Sequence, residues 1–521
     1  MRLIRNRSNF REWWVAGMGL ALCLPLLTAS TATGADEDGD SGKTSKIADR
    51  YRKPIEDWRI EAAVEAQLMK TDAVNAHDID VHVTEGIVTL GGEVDSLMAW
   101  ERAARSASLI KGVRAVVNRI KTSPSDLTDT EIRAAVDAAL LRDPATDSWE
   151  IDVQVEDGIV TLEGNVTSFA EKTLACQVAK TVHGVRALAD AIQVDYSDMR
   201  TDAEILAEIE RRLEWDDRID DQLIAVKVDD GDVTLAGSVG SAYEKVLARS
   251  DAWVAGVKSV TSDGLDVEWW KRDLMVRRRP LTDLSDREIE EAILKAFQYD
   301  PRVLSFQPEV RVEDGVVTLR GVVDNLEARR AADDDARNTL GVWRVRNHLK
   351  VRPLAKRPDD AVENDVEAAL HRDSLVNGLD IDVMVIDGRA ILTGTVDSLP
   401  ERQQAENVAA KVRGVKIVRN HLAVDPVPLP DLVTSLDWPP TTNPLYEYRT
   451  VRVRPDRMIR QDIESELWWS PFVDEDEVEV KDGVATLTGT VDSWSERRAA
   501  AVNALEAGAH KVVNKLTVQT Q

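Results

Sequence analysis

The sequence predicts an α+β protein, a tandem array of six small αββαβ units in which a three-stranded mixed sheet is covered by two helices. Two observations predict this fold: an acidic-glycine turn between alternating apolar runs recurs six times, and amphipathic helical patterns flank every copy. A chain of 521 residues is too long for one hydrophobic core, so an array of small units accounts for its length.

The hairpin is the clearest element of each unit. In the first copy, residues 79–84 and 87–90 alternate between apolar and polar side chains around a Glu-Gly turn. Glycine supplies the positive φ that a tight hairpin turn requires. A second glycine follows six residues later and shares the parity of inward-facing residues, so we expect it to face the core and let a helix approach the sheet. The repeat glycines are Gly86, Gly92, Gly158, Gly164, Gly231, Gly237, Gly315, Gly321, Gly388, Gly394, Gly483 and Gly489.

A helix is predicted on each side of the hairpin. Before it, apolar residues recur four positions apart, as at Ile60, Val64 and Leu68. After it, pairs such as Ser168 with Glu171 match the capping-box pattern and indicate the start of an alanine-rich helix. The same pairing occurs at Ser241, Ser398 and Ser493. A glycine C-cap signal and a third strand close each unit.

Six such units fill most of the chain. We place units 1 to 6 at residues 57–122, 128–195, 201–267, 284–351, 359–424 and 456–518. Residues 36–56 form a linker before unit 1, residues 268–283 form a basic linker that contains tryptophan, and the proline-rich residues 425–455 are expected to act as a semi-rigid spacer.

The N-terminal segment is predicted to be an export signal. Four arginines precede an apolar run at residues 13–27, and a small-residue stretch follows. The run is short for a membrane-spanning helix, although an uncleaved anchor stays open as an alternative. Leu22 precedes Cys23 where lipoprotein processing needs a small residue, so lipidation is not expected. We therefore expect residues 1–35 to be a cleaved signal peptide and the protein to be periplasmic or otherwise exported and envelope-associated.

Composition and motif spacing argue against several function classes. The 66 Lys and Arg against 93 Asp and Glu give a net charge of −27, which disfavours a nucleic-acid partner. The two cysteines cannot form a disulfide framework, and the seven histidines have no zinc-ligand spacing. We find no nucleophile, phosphate-binding or dinucleotide-binding motif. The sequence thus predicts no catalytic residue, no metal site, no cofactor and no enzyme, with calcium binding by the turn carboxylates left open.

Single candidate residues have plain structural interpretations. Cys176 falls on the alanine-rich helix and is predicted to be a small packed residue. His348 and His421 occupy equivalent positions that hold other residue types in the remaining units, which favours an exposed strand position over a ligand.

The linker between units 3 and 4 contains the best candidate for a lipid or partner surface. Residues 268–357 carry 19 basic and 16 acidic side chains, a net of +3 in a strongly acidic chain. Indoles beside cations suit the boundary of an anionic bilayer. Alternatively, the tryptophans pack between neighbouring units and the arginines pair with acidic faces. The candidate residues are Trp269, Trp270, Lys271, Arg272, Arg277, Arg278 and Arg279.

The repeat resembles the BON domain, a family named for bacterial osmotically inducible periplasmic and nodulation proteins. The resemblance rests on Asp-Gly-Val-Val-Thr-Leu-x-Gly at residues 314–321 and Gly-Val-x-x-Val-x-Asn at 414–420, and it covers all six units. The third unit departs from it, with Asp263-Gly264 adding a residue to its last strand. The resemblance implies a non-enzymatic envelope module without shared catalytic residues, credited with binding phospholipid surfaces and with protecting envelope proteins.

Three functions follow as hypotheses. The first is an exported, non-enzymatic multi-repeat scaffold that contacts phospholipid surfaces and contributes to protection under envelope or osmotic stress. The second is a holdase-type chaperone for envelope proteins, and the third is a structural array that holds another envelope protein. The functional content of these hypotheses comes from the resemblance to the BON domain. The repeats themselves show only an architecture that suits multivalent contact. The oligomeric state stays open.

Overall fold

The computed structural model describes most of the six units. The described residues are 55–71, 78–123, 125–146, 150–196, 200–274, 277, 284–353, 357–376, 379–396, 399–424, 456–470, 477–481, 483–491, 493–507, 509 and 511–518. The predicted signal peptide and the proline-rich linker 425–455 lie outside this range.

Every unit has the predicted αββαβ order, which confirms the fold class. The hairpin strands pair antiparallel, and the second strand also pairs in parallel with the third, so the second strand lies in the middle of each sheet. In unit 3, a register shift between Thr261 and Gly264 accommodates the extra residue at Asp263-Gly264. The sheet is therefore mixed in each unit, with the two helices on one face.

The first helix of each unit contributes the predicted apolar side to the core, and the second helix contributes alanines. The first helices are α1 Asp57–Lys70, α3 Asp129–Arg142, α5 Asp202–Trp215, α7 Asp286–Tyr299, α9 Asp359–Arg372 and α11 Asp456–Trp469. The second helices are α2 Leu97–Ser108, α4 Phe169–Lys180, α6 Ala242–Asp251, α8 Leu326–Arg337, α10 Leu399–Lys411 and α12 Trp494–Glu506.

The strands follow the same repeat, and the third strand is often interrupted. The hairpins are β1 Ile79–Thr84 with β2 Ile87–Val94, β5 Ile151–Glu156 with β6 Ile159–Val166, β8 Ile224–Asp229 with β9 Asp232–Val239, β11 Glu309–Glu313 with β12 Val316–Arg320 and β13 Val322–Val323, β16 Ile381–Ile386 with β17 Arg389–Val396, and β20 Glu477–Lys481 with β21 Val484–Thr488 and β22 Thr490–Val491. The third strands are β3 Ala115–Asn118 with β4 Lys121–Thr122, β7 Ala187–Val194, β10 Ser259–Val267, β14 Arg344–Asn347 with β15 Lys350–Val351, β18 Ile417–Asn420 with β19 Ala423–Val424, and β23 Lys511–Asn514 with β24 Thr517–Val518.

The second helices are capped largely as predicted. The hydroxyls of Ser168, Ser241 and Ser493 each accept a hydrogen bond from the amide three residues on. The reciprocal bond of a full capping box forms only at Ser493, whose amide donates to the Glu496 carboxylate at 3.2 Å. In units 2 and 3 the glutamate instead accepts from the residue before the cap, at Thr167 N and Gly240 N. Ser398 lies outside the described range.

The turn glycines have the predicted role, but the second glycines do not. Glu85 and Gly86 both adopt positive φ, 51° and 75°, as a two-residue hairpin turn needs. Gly92 is exposed and has φ 106°, and a Cβ there would lie 1.9 Å from the carbonyl oxygen of Asp78. Gly92 shares the parity of buried Leu90 and Val94 as predicted, but the predicted approach of a helix to it is wrong, because the nearest atoms belong to the hairpin partner strand. Its positive φ marks a left-handed distortion of the strand against that partner.

An aspartate at the first position of each first helix fastens the hairpin turn, and sequence reasoning missed it. The carboxylate of Asp57 accepts hydrogen bonds from the amides of Glu85, at 2.8 Å, and Gly86, at 2.9 Å. A carboxylate is also favoured at a helix N-terminus by the helix dipole. The same clamp is made by Asp129, Asp202, Asp286, Asp359 and Asp456.

The asparagine of the closing motif joins the third strand to the second helix. The side chain of Asn118 donates to the carbonyl of Trp100 and accepts from the amide of Ile120. Unit 2 has Asp190 here, which has no amide donor, and its carboxylate instead pairs with the Lys172 ammonium at 3.1 Å. The motif thus satisfies buried backbone groups at the point where the third strand is interrupted. Equivalent asparagines are Asn347, Asn420 and Asn514.

Units 1, 2 and 3 contact one another in a cycle through one repeat position, the residue after the cap of the second helix. Leu97 of unit 1 joins the core of unit 2. Phe169 of unit 2 stacks on Trp253 of unit 3, with ring centroids 4.1 Å apart. Ala242 of unit 3 belongs to the cluster that combines the cores of units 3 and 1.

The same position connects the last three units. Leu326 of unit 4 joins the core of unit 5, and Trp494 of unit 6 lies 5.9 Å from Trp343 of unit 4. Leu399 holds this position in unit 5, and its side chain lies outside the described part of the chain.

The two groups of three units pair with each other in nested order. In each pair, the last residue of one first helix accepts a backbone hydrogen bond from the residue before the glycine C-cap of the partner's second helix. Unit 1 therefore contacts unit 6, unit 2 contacts unit 5 and unit 3 contacts unit 4, so the second half of the chain runs back along the first half. The three bonds run from Lys111 N to Trp469 O (2.9 Å), from His183 N to Arg372 O (2.7 Å) and from Leu340 N to Trp215 O (2.9 Å).

Candidate binding surfaces

The tryptophans of the linker between units 3 and 4 pack against other units. Trp269–Leu274 forms a short 3-10 helix in which Trp269 and Trp270 are half-buried, with ring centroids 6.2 Å apart. The Lys111 ammonium of unit 1 lies 5.3 Å from the Trp269 ring and 5.6 Å from the Trp468 ring of unit 6. Lys271 pairs with its neighbour Glu268. This linker therefore contributes to inter-unit packing and leaves part of each indole exposed.

Arg277 lies inside the molecule. Its guanidinium donates hydrogen bonds to the carbonyl oxygens of Asp216, Asp217 and Ile219 at 3.0, 2.6 and 2.8 Å. Its side chain is 10% exposed, and the Asp217 carboxylate lies 4.0 Å away. This corrects the assignment of Arg277 to an exposed lipid or partner surface. Arg278, Arg279 and the side chain of Arg272 lie outside the described residues, so their assignment stays a prediction.

Three other tryptophans, at the ends of first helices, also pack between units. Trp215 contacts the core of unit 4, and Trp469 contacts the combined core of units 1 and 3. The guanidinium of Arg59 in unit 1 lies 5.0 Å from the Trp468 ring of unit 6, within cation–π distance. Inter-unit packing is thus the observed role of these three indoles.

The open sheet face of unit 4 and its edge carry a concentrated positive charge. We call this surface the basic face. Its residues are all exposed: Arg311, Arg320, Arg344, Arg346, His348, Lys350 and Arg352.

The strand register brings the side chains of the basic face together. Thr318 of the central strand pairs with Arg311 on one side and with Arg346 on the other. Opposed residues of neighbouring strands lie about 5 Å apart at Cβ, so the guanidinium groups share one field. The same face also carries two exposed carboxylates, those of Glu309 and Glu313, and Glu313 forms an ion pair with Arg311 at 2.8 Å.

The basic face is not a feature of every unit. The same face of unit 2 presents Asp152, Glu156 and Glu163, which give it the opposite charge. The sequence contained the signal, because every second residue from Arg344 to Arg352 is basic. Our prediction located the excess charge in the right region but assigned it to the linker.

Comparison with known proteins assigns all six units to one family. The model of the BON domain matches residues 56–124, 128–196, 201–268, 285–353, 358–426 and 455–520. The chain belongs to the BON domain family.

Two curated relatives are similar in sequence to part of the chain. Osmotically-inducible protein Y of Escherichia coli is 28% identical over 184 residues, covering 32% of this chain and 92% of the relative. An uncharacterized protein from the gshII 5′ region of Anaplasma centrale is 29% identical over 128 residues, covering 23% of this chain and 85% of that protein.

Two solved structures also match part of the chain. Both are of CdsD, described as a structural protein of the type III secretion system of Chlamydia trachomatis. One covers 39% of this chain and 89% of the solved chain at 13% identity and TM-score 0.12. The other, its C-terminal domain, covers 41% and 100% at 11% identity and TM-score 0.11.

The cysteine and histidines considered as reactive groups or ligands lie in environments that do not indicate such a role. Cys176 is buried, and burial raises the pKa of its thiol to about 11, so the thiolate is scarce at neutral pH. His348 and His421 are exposed, as predicted, and each lies where its third strand is interrupted. In the part of the chain that the structure describes, no group of three or more His, Cys, Asp or Glu side chains is arranged to hold a metal ion. Within the same residues, no helix combines the length and apolar character needed to cross a membrane.

Proposed function

We propose that this protein is an exported, non-enzymatic scaffold of six BON units that binds anionic phospholipid surfaces of the cell envelope and contributes to protection under osmotic or envelope stress. The basic face of unit 4 is the observation that carries the proposal. The signal-like N-terminal sequence and the similarity to an osmotically inducible protein support the location and the stress role.

The physical basis is electrostatic. Each Lys or Arg near an anionic membrane contributes about 1 kcal/mol, and a flat sheet face can bring several of them to the surface together. The net charge of −27 repels the rest of the chain from such a membrane, so the basic face also fixes the orientation of binding. Contact by one oriented face differs from the multivalent contact for which the repeat architecture is suited.

Co-sedimentation with vesicles tests the proposal. Residues 36–521 are mixed with phosphatidylglycerol or phosphatidylcholine vesicles at low and moderate salt. We expect salt-sensitive binding to the anionic vesicles alone, because salt screens exposed charges. The variant Arg344→Gln, Arg346→Gln, Lys350→Gln is expected to bind about a hundredfold more weakly, since three favourable contacts of about 1 kcal/mol are lost.

The control variant makes an equal change of net charge elsewhere. Arg133, Arg287 and Arg460 are exposed and lie in ion pairs on first helices. Their replacement by Gln is expected to leave sedimentation almost unchanged. A separate variant, Trp269→Ala, Trp270→Ala, Arg278→Ala, Arg279→Ala, tests the linker while keeping Arg277 intact. Equal loss in the basic-face and control variants would refute a localised membrane contact.

A second candidate, holdase activity, is favoured by one surface of unit 5. The open sheet face there exposes Met384, Ile386 and Ile417, and Arg389 pairs with both isoleucines across the sheet. Exposed apolar patches often bind partners. If this face shelters unfolded clients, the variant Met384→Gln, Ile386→Gln, Ile417→Gln should lose suppression of client aggregation and retain vesicle binding. Unchanged suppression would reject the chaperone role of this face.

A further inference from the structure

A cavity of about 1120 Å³ lies where units 1, 2, 4 and 5 meet, and the second helices of these units contribute to its wall. Nine Lys and Arg side chains and six Asp and Glu side chains line it, a net of +3 in a chain of −27. Ligand pockets typically measure about 300–1000 Å³, so this space is large enough for a small organic molecule.

One end of the cavity has three guanidinium groups around one carboxylate. Arg142 Nη1 lies 3.6 Å from Asp365 Oδ1, and Arg357 Nη2 lies 2.6 Å from Asp365 Oδ2. Arg372 also lines this space, and within the described chain no carboxylate lies within 4.0 Å of its guanidinium. Two positive charges therefore remain without a matching negative charge.

The excess of cations follows from broken repeat symmetry between units 2 and 5. Arg142 and Arg372 are the last residues of their first helices and occupy the same repeat position. The equivalent of Asp365 in unit 2 is Ala135, so the second carboxylate that would balance this pair is absent. Burial and the nearby Arg142 lower the pKa of Arg372, as expected for a cation beside another cation.

Buried carboxylates also line the cavity. Asp143, Glu327 and Asp373 are buried there, and Lys411 Nζ lies 4.0 Å from Glu327 Oε1. Glu327 Oε2 has no hydrogen-bond partner among the described residues. A buried carboxylate oxygen without a donor is costly, and a ligand's hydroxyl or amino group can supply one.

We propose that this cavity binds a phosphate ester that also carries a hydroxyl or amino group. Arg142, Arg357 and Arg372 hold the phosphate, because planar guanidinium groups donate paired hydrogen bonds to its oxygens. Glu327 accepts a hydrogen bond from the other end of the ligand. Arg142 keeps 49% of its side chain exposed, so the site is reachable from solvent.

Calorimetric titration with three probes tests the site. The probes are inorganic phosphate, phosphoethanolamine and dihexanoyl phosphatidylethanolamine below its micelle concentration. We expect phosphoethanolamine to bind more tightly than phosphate. Equal binding of the two ethanolamine probes identifies a free phosphate ester as a sufficient ligand, and binding of the diacyl probe alone identifies a lipid headgroup with its chains. Either source supports the proposal, provided that binding requires Arg372.

Substitutions separate ligand binding from structural support. Arg372→Gln is expected to weaken phosphoethanolamine binding at least about tenfold, because a charge-assisted hydrogen bond is lost. The backbone bond from His183 to the Arg372 carbonyl is kept in this variant. Asp365→Asn should tighten binding several-fold, since it removes the carboxylate that competes with the ligand. Arg133→Gln, on the same helix as Arg142, is the control and should change nothing.

Three results would overturn the proposal. The first is the absence of measurable binding of every probe to the folded protein at millimolar concentration. The second is equal affinity of the wild type and Arg372→Gln, with circular dichroism showing that both are folded. The third is weaker phosphoethanolamine binding by Asp365→Asn. That result would mean that Asp365 supports the arginines structurally and does not compete with the ligand for them.

Discussion

Asp217 shows how single residues hold distant parts of this chain together. Its wholly buried carboxylate accepts a hydrogen bond from the Ser495 amide of unit 6 at 2.8 Å. Arg277 of the linker and Arg498 of unit 6 lie 4.0 and 3.4 Å away. One carboxylate thereby joins unit 3, unit 6 and the linker. Because Arg277 is held inside the molecule beside it, Arg277 is unavailable to a membrane.

Replacing Arg277 should destabilise the fold strongly. Arg277→Ala removes the donor to three inward carbonyl oxygens and one of the two cations beside the buried Asp217 carboxylate, which together cost about 3–5 kcal/mol. Arg287→Ala is the control: its side chain is 87% exposed, it pairs with exposed Glu291, and its loss costs under about 1 kcal/mol. Urea unfolding measures both free energies. Similar values for the two variants would contradict a structural role for Arg277, and Asp217→Asn should partly rescue Arg277→Ala.

Glu244 makes stability depend on pH. Burial and the nearby Asp220 raise the pKa of its carboxyl from 4.5 to about 8. A raised pKa means that the folded state binds the proton more tightly than the unfolded state, so this contribution to the free energy of unfolding falls between about pH 4.5 and 8. Urea unfolding at several pH values should show that fall, with a smaller slope in Glu244→Gln. An unchanged slope in the variant would show that Glu244 is not the group responsible.

At the scale of elements, each unit depends on backbone geometry that only particular residues allow. Gly92→Ala places a Cβ 1.9 Å from the Asp78 carbonyl at φ 106°, and strain of this kind costs at least about 2 kcal/mol. The adjacent Gly91→Ala is the control, because its Cβ would have nothing nearer than 3.9 Å. Thermal unfolding should show a lower transition for Gly92→Ala alone. Equal transitions would mean that the strand relaxes without cost.

The elements could be predicted from the sequence because their signals are local. The Glu85-Gly86 turn and the four-residue spacing of Ile60 and Val64 depend only on neighbouring residues. The clamp from Asp57 to that turn was missed because it joins residues 28 positions apart. The role of Gly92 was misjudged because strand parity, which buried Val94 keeps, does not reveal which neighbour fills the space at a position, and here that neighbour is the backbone of Asp78.

At the scale of the whole molecule, the units are arranged by contacts that no local pattern marks. Phe169 and Trp253 resemble ordinary core residues in sequence, yet they join units 2 and 3. The cavity could not be foreseen either, since Arg142 and Arg372 meet only because units 2 and 5 pair. The basic residues of the third strand of unit 4 could be recognised in the sequence. That they form one charged surface with Arg311 and Arg320 depends on the pairing of the strands.

Loss of the stack between Phe169 and Trp253 should loosen the first three units. Phe169→Ala removes a half-buried ring, so we expect a cost of roughly 2 kcal/mol, below the 3–5 kcal/mol of a fully buried phenylalanine. Val246→Ala, at an exposed position of unit 3, is the control. Limited proteolysis should cut the Phe169→Ala protein faster between units 2 and 3. Equal cleavage of the two variants would show that the stack does not hold these units.

The central claim is that one charged face directs this acidic protein to a membrane. The most direct measurement is the bound fraction on phosphatidylglycerol vesicles of the wild type, the Arg344→Gln, Arg346→Gln, Lys350→Gln variant and the charge-matched control. We predict that the wild type and the control bind and that the basic-face variant stays in solution. Binding by the basic-face variant at the wild-type level would contradict the account.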